Sequence, residues 1–346
     1  MKKLEADIVI VGTGASGLFA ALHVPNDKKV LMLTKSDAEN SDSFLAQGGI
    51  CVLRDKNDFD SFMEDTMKAG HYENRKESVE IMINSSRDII NELIGYGVDF
   101  ATKDGELDYT REGAHSKPRI LFHEDITGKE ITSTLLDVVR KLENVTIMEY
   151  VTMTDIIEKD NVCYGVLAKD ANNNEMCIKA GYTIFACGGI GGLYDHSTNY
   201  PHLTGDAIAI AIQHGIKLEN VDYVQIHPTT LYTKKRGRAF LISESVRGEG
   251  ARLYGKDGNR FANEVLPRDI MTQKIREQMK KDDMPYVWMD MTVLGEEVIK
   301  NHFPHIYEQC VEEGFDPRKE PIPVVPAQHY FCLLYTSPSP RDRSLS

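Results

Sequence analysis

The chain is 346 residues long, which at roughly 150 residues per domain allows about two domains. Hydrophobic residues make up 41% and charged residues 27%, enough to bury a core and too apolar for a disordered chain. Lys and Arg number 40 against 53 Asp and Glu, a formal charge of −13 that argues against nucleic-acid binding.

Met1-Lys2-Lys3 before Ile8-Val9-Ile10-Val11 has the outline of a signal peptide, but Glu5 and Asp7 interrupt it and the apolar run is short. No apolar run approaches the ~20 residues that span a bilayer, so a cytoplasmic protein with no membrane partner is expected. The six cysteines (51, 163, 177, 187, 310 and 332) form no Cys-x-x-Cys pair and are expected to be unpaired thiols.

Residues 6–11 read as a central parallel strand, apolar on both faces. Gly12-Thr13-Gly14-Ala15-Ser16-Gly17 follows, then a helix from Leu18 and a second strand, Val30–Thr34. Such a β–turn–α–β unit of about 30 residues has the size of a dinucleotide-binding module. Residues 59–95 carry apolar residues at helical spacing, and another helix is expected across Thr132–Leu142. Short strands follow at Val145–Tyr150, Thr154–Glu158, Cys163–Ala168, Met176–Lys179 and Tyr182–Cys187, separated by Asn/Asp/Gly turns. A helix is predicted over Ala207–His214, closed by Gly215. From Val221 charged turns and prolines replace the alternation of strands and helices, which places a second domain at 221–330. Residues 337–346 are of low complexity.

Three glycine-rich turns carry the chemistry. In the first, Gly12 permits a tight turn, Gly14 admits a pyrophosphate to the backbone and Gly17 allows close helix–strand packing. An acid expected after the second strand is missing. Lys35 stands there instead, which in a simple dehydrogenase would suggest a phosphorylated ribose. Ser43-Phe44-Leu45-Ala46-Gln47-Gly48-Gly49 is the second turn, read equally well as a plain loop or as a cofactor contact. Cys187-Gly188-Gly189-Ile190-Gly191-Gly192 is the third, and together they argue for one long ligand such as FAD. Arg111–Ser116, Gln225–Thr229, Ser243-Glu244 with Arg247–Gly250, Pro267-Arg268-Asp269 and Ala327–Tyr330 each look ordinary alone. As a set they suit a small dicarboxylate held by Arg and His. His302 and His305 lack a carboxylate or Cys at ligand spacing and are read as surface residues, with no metal site.

In order along the chain, Gly-x-Gly-x-x-Gly, Ala46-Gln47-Gly48-Gly49-Ile50, Thr110-Arg111-Glu112-Gly113-Ala114-His115-Ser116, His227-Pro228-Thr229, Arg247-Gly248-Glu249-Gly250-Ala251, Pro267-Arg268-Asp269-Ile270 and His329-Tyr330 resemble the flavoprotein family of succinate dehydrogenases and fumarate reductases. Within it they resemble the branch that oxidises L-aspartate, over residues 4 to about 332. The resemblance implies an α/β fold: a Rossmann-like FAD-binding domain (1–220 in its N-terminal part) with an inserted α+β capping domain (221–330). It implies FAD along Gly12, Thr13, Gly14, Ala15, Ser16 and Gly17, with Lys35 at the adenosine end. Asp42, Ser43, Phe44, Leu45, Ala46, Gln47, Gly48, Gly49 and Asp206 would complete the cofactor contacts. Covalently flavinylated relatives carry His where Asp42 stands, so non-covalent FAD is expected.

The resemblance also implies removal of hydride from L-aspartate to flavin N5, giving iminoaspartate. Glu112 would face the substrate ammonium, Arg268 would be the proton donor or acceptor, and His227, Ser243 and His329 would hold carboxylate oxygens. Oxygen or fumarate would reoxidise the flavin, and iminoaspartate would pass to a quinolinate synthase at the start of NAD biosynthesis. The alternatives are a soluble fumarate reductase and an inactive dinucleotide-binding fragment. The family continues past Cys332 with glycines, a further Arg and a helical domain. Residues 333–346 do not follow that pattern and are expected to be a non-native, disordered tail, making the chain a truncated relative.

Overall fold

The computed structural model describes residues 1–111, 115–235 and 237–331; Glu112 and the tail expected at 333–346 lie outside them. In chain order the elements begin with β1 (Lys2–Val11), α1 (Ala15–Leu22), β2 (Val30–Leu33) and β3 (Ile50–Cys51). Next come α2 (Phe59–Ala69), α3 (Lys76–Tyr96), β4 (Thr102–Lys103), β5 (Glu106–Leu107), β6 (Ile120–Leu121) and α4 (Thr127–Val139). β7 (Val145–Met148), β8 (Val151–Lys159), β9 (Val162–Asp170), β10 (Glu175–Phe185) and α5 (Asp206–Gln213) follow. The chain then forms β11 (Val224–Leu231), α6 (Glu244–Gly248), β12 (Arg252–Tyr254), α7 (Arg268–Asp282) and β13 (Val287–Asp290). Its last described elements are α8 (Glu296–His302), α9 (Pro304–Glu312) and β14 (Ile322–Phe331).

Two compact units result. The first comprises Met1–Phe44, Thr132–Gln225 and, among the described residues, 328–331; the second comprises Leu45–Ile131 and Ile226–Ala327. The first holds a six-stranded sheet in the order β7-β2-β1-β10-β9-β8. β1 pairs in parallel with β2 and β10, and β2 with β7, whereas β8, β9 and β10 form an antiparallel meander. Val9, Ile10 and all of β2 are buried, as strands covered on both faces require. Val9, Leu31, Leu33, Val166, Ile178 and Ile210 belong to one apolar cluster of this unit.

The second unit is built on a four-stranded sheet, β11-β14-β13-β12, whose core gathers Leu253, Met271, Ile275, Met289, Ile306 and Val324. A smaller cluster of Phe62, Val79 and Ile83 joins α2 to α3. The units differ from the expected division: residues 45–131 group with the second unit, not with the rest of 1–220, while 221–225 and 328–330 group with the first. Helical spacing shows that α2 and α3 each have an apolar face but not which other segment of the chain covers it.

Candidate active site

The first glycine-rich turn lies between β1 and α1. Gly12 has φ +119°, and a Cβ there would overlap the Ala186 carbonyl oxygen; one on Gly17 would overlap the Gly12 carbonyl oxygen. Both glycines are therefore dictated by backbone packing. Gly14 is not: it is extended (φ −71°), and a Cβ would meet nothing nearer than Ser43 Oγ at 3.0 Å. The helix behind it has no side-chain cap and no acid in its first turn. Ala15 N–H donates to Ser43 Oγ at 3.1 Å, and the N–H groups that follow are the ones a phosphate takes at a helix start. Thr13 is buried in the turn.

Lys35, just beyond β2, is tied down on three sides. Its Nζ lies 2.5 Å from Asp206 Oδ2 and donates at 2.8 Å to both the His202 carbonyl and Thr204 Oγ1. The structure thus brings Lys35 and Asp206, both expected at the cofactor, into one ion pair at the start of α5. Thr204 Oγ1 in turn donates to Asp206 Oδ1 at 2.7 Å. The third glycine turn abuts the same loop, with Gly205 N–H donating to the Gly189 carbonyl at 3.2 Å. Burial pushes the neighbouring Cys187 thiol up to about 12, so it is protonated and inert at neutral pH. Asp42 Oδ1 accepts from Tyr200 N–H at 3.0 Å.

His329 is strapped to the same unit. Its Nδ1 lies 2.7 Å from Thr198 Oγ1, and Asn199 Nδ2 donates to its carbonyl at 2.9 Å. Beside it, buried Gln328 accepts from Ser197 Oγ at 2.5 Å, while its Nε2 has no hydrogen-bond partner among the described residues.

The second unit carries the other expected residues. Of the run from Asp42 to Gly49, Leu45 onward belongs here. Gly49 packs against β6, where a Cβ would overlap the Leu121 carbonyl oxygen. Gln47 is buried, and its Oε1 has no hydrogen-bond partner among the described residues. Orphaned buried acceptors are costly, so a donor from a bound molecule accounts for it. This orphan fits FAD, as does, within the first unit, the helix start behind Gly14 that has no side-chain cap.

His227, on β11, is buried, and its Nδ1 is turned toward the Thr229 backbone, 3.1 Å from N and 3.0 Å from O. Ser243 caps α6, accepting from Ser245 N–H at 3.3 Å. The next residue, Glu244, stood among the polar candidates of the sequence without a role of its own. Glu244 is buried, and its Oε2 accepts from Arg268 Nε at 2.5 Å; Arg247 Nη2 lies 4.0 Å from its other oxygen. Burial pushes this carboxyl up, but the Arg268 and Arg247 cations outweigh that and hold it below the ordinary carboxylate range. Glu244 is therefore ionised at neutral pH, and its bond orients the Arg268 guanidinium at the start of α7. The signal was present in the sequence as adjacent Ser243-Glu244, but only a three-dimensional pairing with Arg268 gives the acid a task.

A phosphate-accepting βαβ turn, an ion-paired lysine where an acid is usual and a second unit holding Arg, His and Glu define a dinucleotide-dependent enzyme of small anions. Residues 7–333 match the FAD binding domain family. The chain is 46% identical over 330 residues to an L-aspartate oxidase of Clostridium perfringens, covering 95% of this chain and 75% of that one. An L-aspartate oxidase of Clostridium acetobutylicum is 45% identical over the same length, with 95% and 76% covered. Among solved structures, a chain of E. coli quinol fumarate reductase superposes with a TM-score of 0.88 at 27% identity, over 96% of this chain and 61% of that one. The chain belongs to the L-aspartate oxidase family of FAD-dependent flavoproteins. Among the described residues, no helix is long and apolar enough to cross a membrane.

Proposed function

We propose that the chain oxidises L-aspartate to iminoaspartate with non-covalently held FAD, and that oxygen or fumarate takes the electrons onward. One observation carries the reading: a buried Glu244 bonded to Arg268 beside Ser243, in a chain 46% identical to an L-aspartate oxidase. FAD supplies the acceptor for the hydride that leaves the aspartate α-carbon. The first unit serves as the cofactor-binding body and the second as the cap.

Hydride leaves the α-carbon readily only when the nitrogen lone pair can follow, so the ammonium must first lose a proton. Glu112 takes that part in this reading. Succinate and fumarate carry no ammonium, and a carboxylate at that position would repel their dianions. Arg268 binds substrate carboxylate and acts as the proton donor or acceptor; the Glu244 carboxylate offsets its charge and orients it. His227, Ser243 and His329 take carboxylate oxygens. Fumarate reduction uses the same groups in the opposite sense, which is why a fumarate reductase is the second reading, supported by the 0.88 superposition. The two are told apart by Glu112→Gln, which lowers kcat/KM for L-aspartate while leaving fumarate reduction near wild type. Equal loss of both activities favours the fumarate reductase. Iminoaspartate is unstable in water, and hand-over to a quinolinate synthase in the cytoplasm completes the proposal.

A further inference from the structure

Arg119, the residue immediately before β6, is fully buried and engages every N–H it has. Its Nε donates to Asp58 Oδ2 at 3.0 Å, and its Nη2 donates to Asp58 Oδ1 at 2.8 Å and to Ser61 Oγ at 3.0 Å. Nη1 donates to Asp65 Oδ2 at 2.5 Å and lies 3.3 Å from His115 Nδ1. A guanidinium has donors and no acceptor, so Nδ1 of His115 must accept, and the ring hydrogen resides on Nε2. Nε2 lies 3.6 Å from Cys51 Sγ. Asp65 also accepts from Ser116 N–H at 2.8 Å and Ser116 Oγ at 2.7 Å, which pins the residue after His115 to α2.

The Arg111 carbonyl lies 3.5 Å from where a Cβ on Gly248, the last residue of α6, would sit, and the charges of His115 and Glu244 act on each other. We propose that Arg119 is a positioning residue, which fixes His115 as a neutral imidazole with its hydrogen on Nε2 and so leaves Glu244 to pair with Arg268. The inference rests on the role of that pair in the proposed function. A protonated His115 would be a competing cation for Glu244. The ring meets Arg119 from its own loop and Cys51 from β3, and the carboxylates whose charge acts on it are Asp65, Glu244 and Asp58. Lys117 Nζ lies 3.5 Å from Asp58 Oδ1. Burial, then Arg119, depresses the ring's basicity, while the three carboxylates act in the opposite direction. Removing Arg119 leaves burial alone against those carboxylates.

The test is long-range proton–nitrogen NMR of the FAD-loaded protein labelled at histidine nitrogens, from pH 5.5 to 8.5, with His115→Gln assigning the resonance. The expected pattern is that of an Nε2–H ring that does not titrate above pH 6.5. An Nδ1–H pattern, or a midpoint at or above 6.5, overturns the proposal. In parallel, Arg119→Gln should gain an acid limb in kcat/KM for L-aspartate, falling about tenfold per pH unit, that disappears when His115→Gln is added. An unchanged profile in folded, flavin-bound Arg119→Gln also overturns it. If that variant does not fold, the spectrum of the unaltered protein decides. Failure of the unaltered enzyme to turn over L-aspartate would sink the proposed function, and the ring spectrum would still decide the state of His115.

Discussion

Glu244→Gln removes one charge from the buried pair while keeping its shape. Glutamine Oε1 can still accept from Arg268 Nε, so the change falls on electrostatics more than on packing. The bond it weakens is 2.5 Å long, and Arg247, almost wholly buried, stands 4.0 Å away from the same carboxyl. Two unit charges at that separation interact by about 4 kcal/mol at an effective dielectric near 20, which is a ceiling. A hydrogen bond to a charged group contributes about 1.5–3 kcal/mol net. If that orientation is needed in the transition state, kcat/KM for L-aspartate falls about 10–100-fold. Anaerobic stopped-flow of flavin absorbance measures it directly, with circular dichroism checking the fold. A folded Glu244→Gln that reduces its flavin within about twofold of the unaltered rate would refute the argument.

Gly17→Ala should cost about 1–3 kcal/mol in urea unfolding, because the methyl overlaps the Gly12 carbonyl and must push helix from strand; wild-type stability would show that the contact relaxes freely. Asp58 is held near 2 rather than 3.8, with burial opposing and the Arg119 bonds and charge prevailing. A depressed carboxyl stabilises the fold above its unfolded value and loses that contribution as pH falls through its folded one. About 2 kcal/mol should therefore disappear between pH 4 and 2, and Asp58→Asn should flatten that slope in acid unfolding. An identical acid slope in the variant would contradict the assignment. Because Asp42 stands where covalently flavinylated relatives carry His, acid precipitation should release all the flavin to the supernatant, and a yellow pellet would count against it.

The local parts of the fold were legible from local patterns. β1, the glycine turn, α1 and β2 follow each other within 33 residues, and each is set by its neighbours: β-branched run, positive φ at Gly12, apolar run. α2 and α3 appear where the spacing of Phe62, Ile90 and Leu93 placed helices, and the meander β8–β10 appears where Asn/Asp turns divided the strands. β10 runs unbroken from Glu175 to Phe185, where two strands were expected, because pairing with β1 carries the ladder across Ala180-Gly181. What the pattern could not supply was pairing at long range. No local pattern marks Arg119, which is buried with Asp58 and Asp65 as partners, more than 50 residues earlier in the chain. His305 reads as a surface residue, yet its Nδ1 lies 2.7 Å from the buried Asp125. The cofactor turn was legible for the same reason its glycines are obligatory: their constraint lies in the backbone itself. Glu244 was not, since a carboxylate's meaning depends on which cation meets it.

The chain is purified with excess FAD, desalted and followed anaerobically in the visible range as L-aspartate or succinate is added. Retained flavin that bleaches with L-aspartate and not with succinate is the predicted result. A chain that keeps no flavin, or whose flavin bleaches with succinate and ignores L-aspartate, would contradict it.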